Sequence, residues 1–199
     1  MSRKIAAVVL AAGRSSRMAA RNKLMEEVDG EPIVRRVVGL ALGSGADPVI
    51  VVTGFDASRI GAALSDLKVT IVDNSDFEAG LSSSLKAGLI ALSPDVDGAL
   101  ILLGDMPAVD TGVLDTLVEA FTSRDAICVP VHQERRGNPV LWGASYFAQM
   151  MRLTGDIGAK TMLAQHTALV TEVPVGSDSI FADVDTPADL ARLRTSGIP

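Results

Sequence analysis

The chain has 199 residues, of which 48% are hydrophobic, 21% charged and only 4% aromatic, and its formal net charge is −6. That length supports one well-buried core rather than two independent ones, and the acidic balance excludes a broad nucleic-acid-binding face, which needs clustered positive charge. The lone cysteine, Cys128, rules out an internal disulfide and sits in the apolar run "AICVP", where a buried structural thiol is expected. No apolar run approaches the roughly 18 residues of a membrane span. The N-terminal apolar stretch is short and flows into a charged loop, so a cytoplasmic protein without a signal peptide is expected.

Apolar runs alternate with helical patterns along most of the chain. "IAAVVL" (5–10) reads as a fully buried strand, and 32–42 as a helix whose Ile33, Val34, Val37, Val38 and Ala41 share one face. Strands over 48–53 and 69–73 enclose a short helix over 57–64. A helix over 82–92 leads to a strand over 98–103 ("GALILL"), and a helix over 110–121 follows. This repeated strand–helix–strand order predicts a mostly parallel sheet covered by helices on both faces, a three-layer α/β/α, Rossmann-like arrangement. Beyond the strand over 126–131 the rhythm changes. A strand over 138–142, helical segments over 146–153 and 159–165, a strand over 168–175 and a closing helix over 187–194 add an antiparallel element to the sheet. No Pro/Gly/Ser-rich linker interrupts the chain, so residues 1–199 form one domain. Its nucleotide-binding half runs to about residue 110 and its acceptor-binding half covers 111–199.

Several familiar signatures are missing. Gly-x-Gly-x-x-Gly does not follow the first strand, and "GAKT" (158–161) lacks the earlier glycine and the upstream strand of a phosphate-binding P-loop. "SSLK" (83–86) matches a four-residue acyl-enzyme motif without its partners. His132 and His166 have no zinc-like spacing to other ligands.

What remains lies at strand ends, where open parallel sheets bind ligands. "VVLAAGRSSRMAARNKL" (8–24) runs from the first strand into small residues and then cations. After Leu10, the small residues Ala11, Ala12 and Gly13 allow close approach of a ligand to the backbone. Arg17 and Lys23 offer a guanidinium fork and an ammonium for a polyphosphate; Arg14 and Arg21 have no assigned role. "ILLGDMP" (101–107) delivers Asp105 to the same edge, where a carboxylate beside bound phosphates suits Mg²⁺. "FADVDTPADL" (181–190) adds Asp183 and Asp185. Thr186–Pro187 reads as a helix start, and Asp183 is favoured as the second metal ligand because Asp185 can serve that start. In "NSDFEAGLSSSLKAGL" (74–89), Gly80, Ser82 and Ser84 open a helix whose free N–H groups and hydroxyls can face a base or a phosphate. "RRGNP" (135–139) and "TGDIGAK" (154–160) are polar, charged loops suited to a second substrate.

Taken in order, "LAAGRSSRM…K", "LGDMP", "GLSSSL", "RGNPV", "GDIGAK" and "DVDTPADL" make the chain resemble a molybdenum cofactor cytidylyltransferase, within the GT-A-like nucleotidyltransferases. The resemblance spans nearly the whole length. It implies a GT-A fold and Mg-dependent transfer of CMP from CTP to the terminal phosphate of Mo-molybdopterin, with release of pyrophosphate. A client molybdoenzyme or its chaperone is implied as a further partner, and neither nucleic acid nor membrane is. Position by position, the resemblance puts Lys23, Arg17 and Asp105 in catalysis. It puts Leu10, Ala11, Ala12, Gly13, Gly80, Ser82 and Ser84 on the nucleotide and Asp105 and Asp183 on Mg²⁺. Arg136, Gly137, Asn138, Asp156 and Lys160 border the acceptor. "LAAG" accompanies cytidine in this group and "LAGG" guanosine, so Ala12 carries the base assignment. Ala19 and Asn138 depart from the usual Gly and His of the family.

The chemistry needs alignment and charge cancellation more than covalent help. The attacking group is already an anionic phosphate, so no general base is required. The alternatives are transfer to another phosphate acceptor, such as a sugar phosphate, or guanylyl transfer, or a binding module that holds nucleotide or delivers cofactor without turnover.

Overall fold

The computed structural model describes residues 3–15 and 22–196; Arg17 and Arg21 lie outside the described residues. In chain order the elements are β1 (Ile5–Ala11), β2 (Glu27–Val28), β3 (Glu31–Pro32), α1 (Ile33–Gly43), β4 (Val49–Thr53), α2 (Ala57–Ala63), β5 (Thr70–Asp73), α3 (Leu81–Ile90) and β6 (Gly98–Leu103). They continue with α4 (Thr111–Ala120), β7 (Ile127–His132), β8 (Arg135–Arg136), β9 (Val140–Gly143), α5 (Phe147–Met150), β10 (Val170–Pro174) and α6 (Pro187–Ser196). Short 3₁₀ turns fill several of the gaps.

The main sheet runs β10-β7-β9-β6-β1-β4-β5, with β8 paired to the outer part of β7. β9 is antiparallel to both β6 and β7, and β8 is antiparallel to β7. The remaining pairs are parallel. The added antiparallel element is therefore a strand inserted between two strands of like direction.

β1 is buried from end to end because β4 and β6 flank it and helices cover both faces. Its side chains alternate between two cores, as the period of two requires. Ala7, Val9 and Ala11 join Val34, Val37 and Val38 of α1 and Leu114 and Leu117 of α4. Val8 and Leu10 join Leu85 and Leu89 of α3, with Trp142 and Met150 further along the same face. α3 sits directly on β1: a Cβ on Gly88 would come within 2.4 Å of Val8. The Ala-rich, aromatic-poor composition thus serves close helix–sheet contact.

The irregular half departs from the expected lengths. The segment over 146–153 is helical only as a 3₁₀ turn, Ala144–Tyr146, followed by the four-residue α5. Residues Ala159–Gln165 form a 3₁₀ helix that buries Ala159, Met162 and Leu163. The strand expected over 168–175 starts only at Val170, because residues Thr167–Leu169 coil into another 3₁₀ turn. Pro32 precedes α1 rather than opening it, since it pairs with Glu27 in the small β2–β3 hairpin. That hairpin has no apolar alternation to announce it.

Candidate active site

The carboxyl ends of β1 and β6 lie side by side, and Gly104 makes the junction tight. Its N–H donates to the Leu10 carbonyl at 2.9 Å, and a Cβ there would stand 2.9 Å from that oxygen. The small residues after β1 and the carboxylate after β6 therefore open onto one cleft of about 440 Å³. Leu10, Ala12, Gly13, Arg14, Ser15 and Lys23 form one side; Phe77, Glu78, Gly80, Leu81 and Ser84 form the other; Asp105, Asp156 and Asp185 complete it. Ala11 points instead into the core and is fully buried.

Lys23 is the centre of this cleft. Its Nζ donates to Asp105 Oδ2 and to Asp185 Oδ1, each at 2.6 Å. Burial pulls the ammonium down, but the charges and hydrogen bonds of Asp105 and Asp185 outweigh it, and the group is held above its ordinary value. The lysine is aimed by residues that gave no signal in the sequence. Asn22, itself buried, accepts from Leu24 N through Oδ1 at 3.1 Å and so caps the 3₁₀ turn Lys23–Met25. Ser15, in a left-handed backbone conformation, accepts from Lys23 N at 3.0 Å. Arg14, which had no assigned role, reaches Glu78 at 2.9 Å and lies over the Phe77 ring.

The C-terminal tail contributes the second carboxylate through its backbone. Val184 N donates to the Asp105 carbonyl at 2.9 Å and its side chain is buried. Asp185 lines both the cleft and a neighbouring groove, whereas Asp183 lines that groove, with His132, Arg135 and Phe181, and not the cleft. The helix start does not compete for Asp185. Asp189 accepts from Thr186 N at 2.7 Å, and Thr186 Oγ1 accepts from Asp189 N at 3.2 Å, a reciprocal capping box. The structure thus pairs Asp105 with Asp185, the member of the pair not favoured from the sequence.

The start of α3 is not an open set of donors, contrary to expectation. Ser82 N donates to the Gly155 carbonyl at 3.1 Å, and Leu81 N to Asp156 Oδ1 at 3.3 Å. The loop over 154–158 crosses the helix start so closely that a Cβ on Gly80 would lie 2.4 Å from the Gly155 carbonyl carbon. Gly80 also holds φ at +97°, a region glycine alone enters readily. Ser82 is buried outside the cleft, while Ser84 lines it.

The residues expected on the acceptor side divide three ways. Asn138 and Lys160 line a second, mostly apolar cavity of about 200 Å³ with Trp142 and Val140, separated from the first by Leu10, Leu81 and Leu103. Burial holds the Lys160 amine below its ordinary value. Asp156 belongs to the nucleotide-sized cleft and caps α3. Arg136 and Gly137 line neither cavity. Arg136 Nε donates to Glu172 on β10 at 2.7 Å, and Gly137 packs under Ile180, where a Cβ would come within 2.6 Å. Arg17 lies outside the described residues.

Among the described residues, no cluster of three or more His, Cys, Asp or Glu is arranged to hold a metal ion. Two carboxylates suffice for Mg²⁺ when phosphate oxygens supply other positions. Asp105 fits such a role, because its buried Oδ1 has no hydrogen-bond partner among the described residues. No helix among the described residues is long and apolar enough to cross a membrane.

The chain is similar to several known proteins over most of its length. The chain is 30% identical over 198 residues to a probable molybdenum cofactor guanylyltransferase of Natronomonas pharaonis, covering 94% of this chain and 95% of that one. It is 28% identical over 200 residues to the nicotine blue oxidoreductase of Paenarthrobacter nicotinovorans, covering 95% and 96%. Among solved structures, a nucleotidyl transferase of Methanothermobacter superposes with a TM-score of 0.86 at 26% identity, over 97% of each chain. A manganese complex of the Mycobacterium tuberculosis protein Rv0371c gives 0.83 at 28% identity, over 98% of this chain and all of that one. With a family profile matching residues 7–170, the chain belongs to the MobA-like NTP transferase domain family.

Proposed function

We propose that the protein transfers CMP from CTP to the terminal phosphate of a molybdopterin. A phosphate oxygen of the acceptor attacks the α-phosphorus, the bond to the β-phosphate oxygen breaks, and pyrophosphate leaves. The observation that carries this reading is the Lys23 ammonium between Asp105 and Asp185, on the floor of the cleft that opens after β1. A triphosphate needs such a cation, and its metal needs such carboxylates.

In this reading Leu10, Ala12 and Gly13 border the nucleotide, Lys23 and Arg17 bind its phosphates, and Ser84 faces the base. Asp105 and Asp185 hold Mg²⁺, which neutralises phosphate charge when bound. The manganese complex of the mycobacterial structure supports a divalent ion in a homologue. The cavity of Asn138, Trp142 and Lys160 takes the acceptor, with an aromatic wall for its ring system and an ammonium for its anion. The cytidine assignment rests on Ala12, through the likeness of "LAAG" to the cytidine-type sequence; Ala12 lines the cleft.

Guanylyl transfer is the second reading, favoured by the name of the archaeal relative. Hydride transfer, suggested by the name of the other full-length relative, makes no use of a carboxylate pair bridged by a lysine. Pyrophosphate release measured with each NTP and Mg²⁺, with and without Mo-molybdopterin, separates these readings. Acceptor-dependent release from CTP is expected. Release from GTP at an equal or higher rate removes the base assignment, and no release from any NTP removes the transferase reading.

A further inference from the structure

Asn74 follows β5 and is buried, and it is not among the residues that line either of the two cavities above. Its amide is fully committed. Oδ1 accepts from Asp76 N at 3.1 Å, which fixes the orientation of the group. Nδ2 then donates to two hydroxyls, Ser83 Oγ at 2.9 Å and Ser84 Oγ at 3.1 Å. Because the amide nitrogen has no lone pair to offer, both serine oxygens act as acceptors toward it, and each hydroxyl proton must point elsewhere.

For Ser83 the outlet is local: its hydroxyl donates to the Gly80 carbonyl at 2.8 Å. The same carbonyl also accepts from Ser83 N at 3.0 Å. A serine inside a helix can return its proton to the carbonyl three or four residues back. For Ser84 these are Leu81 and Gly80: both lone pairs of the Gly80 carbonyl are in use by Ser83, and among the described residues the Ser84 hydroxyl takes part only as the acceptor from Asn74. Ser84 lines the nucleotide-sized cleft.

We infer that Asn74 is a positioning residue for substrate selection: it turns the Ser84 hydroxyl into an obligate hydrogen-bond donor toward the cleft. The base bound there presents an acceptor, a ring nitrogen or carbonyl oxygen, to Ser84. This rests on the nucleotide reading of the cleft and adds to it a direction for the hydrogen bond and a residue, Asn74, that sets it.

Asn74→Asp tests the relay. The carboxylate still accepts from Asp76 N, so the turn is kept, but it accepts from Ser84 instead of donating, and the cleft loses its donor. The readout is the equilibrium affinity for CTP and for ribose 5′-triphosphate, which lacks a base, by calorimetric titration of the intact protein. Asn74→Asp is expected to weaken CTP about tenfold, the scale of one lost hydrogen bond with its partner left unpaired. Ribose triphosphate changes little, and the Asn74→Asp effect on CTP disappears in a Ser84→Ala background. An equal loss with and without the Ser84 hydroxyl overturns the relay, because it marks a general effect of added charge or altered packing. An equal loss for ribose triphosphate also overturns it, placing the donor on phosphate. Should the unmutated protein bind neither CTP nor any other NTP, the nucleotide reading fails first and the relay with it.

Discussion

Replacing Lys23 by methionine keeps the unbranched stem and removes the ammonium, with its charge and its two hydrogen bonds to Asp105 and Asp185, so it isolates what the ammonium does. In the folded protein the Lys23 side chain is 12% exposed, and its partners Asp105 and Asp185 are 19% and 35% exposed. Stripping one partner from a fully buried ion pair costs about 3–5 kcal/mol, whereas exposed pairs are worth about 0–1 kcal/mol. The exposures here lie between those limits. A loss of about 2 kcal/mol follows, which for a domain of this size lowers Tm by roughly 4–8 °C. The pH dependence has a definite sign. Lys23 is held above its ordinary value of 10.5, so its contribution is complete below that value and fades as pH rises through the higher, folded-state value. Urea unfolding of both proteins across the neutral and alkaline range should therefore show a constant gap that narrows only above about 10.5, the unperturbed lysine range. Equal stabilities at neutral pH, or a gap that does not narrow in alkali, would refute the bridging role.

Three further outcomes are open to measurement. Asp185→Asn should lower pyrophosphate release about a hundredfold, on the scale of losing one electrostatic partner of the transition state, while Asp183→Asn keeps most of it; equal losses would return Asp183 to the site. Gly80→Ala forces a Cβ into the Gly155 carbonyl at a left-handed φ, so thermal unfolding should show a loss of at least about 1–3 kcal/mol and faster proteolysis of the 154–158 loop. Cys128 is fully buried and burial pushes its thiol up to about 11. Thiol reagents at neutral pH should therefore label it only in denaturant, and rapid labelling of the native protein would contradict its place in the core.

The sheet was legible because its central strands are buried on both faces. Runs such as "IAAVVL" and "GALILL" need no polar alternation, and only a parallel α/β sheet hides so many short apolar segments at once. The helices over α1 and α4 follow from their spacing for the same reason. Where the chain turns irregular, local pattern lost its hold. Residues 144–169 bury Tyr146, Met162 and Leu163 through 3₁₀ segments and Met150 through a single α-helical turn, and apolar residues at i and i+3 share a face in a 3₁₀ turn as well as in an α-helix.

The candidate site divides along the same line, between what a strand end dictates and what a distant contact decides. Asp105 stands where the end of β6 presents it, Ser84 in the first turn of α3 and Lys23 at the start of a 3₁₀ turn, and their residue types state a chemistry on their own. The choice between Asp183 and Asp185 depended on what occupied the helix start. "TPAD" held part of that answer, since Thr186 and Asp189 satisfy each other's backbone donors and leave Asp185 to turn toward Lys23. The rest lay in Val184, whose N–H binds the Asp105 carbonyl 79 positions away in the chain and so sets which neighbour faces the cleft. The open helix start expected at Gly80 fails for a similar reason: the groups that cap it come from Gly155 and Asp156. In this fold the charged groups are announced locally, but their directions are fixed by backbone hydrogen bonds between segments that the sequence keeps far apart. A substitution such as Gly80→Ala, which touches no charge, is therefore expected to disturb the cleft through the loop that crosses it.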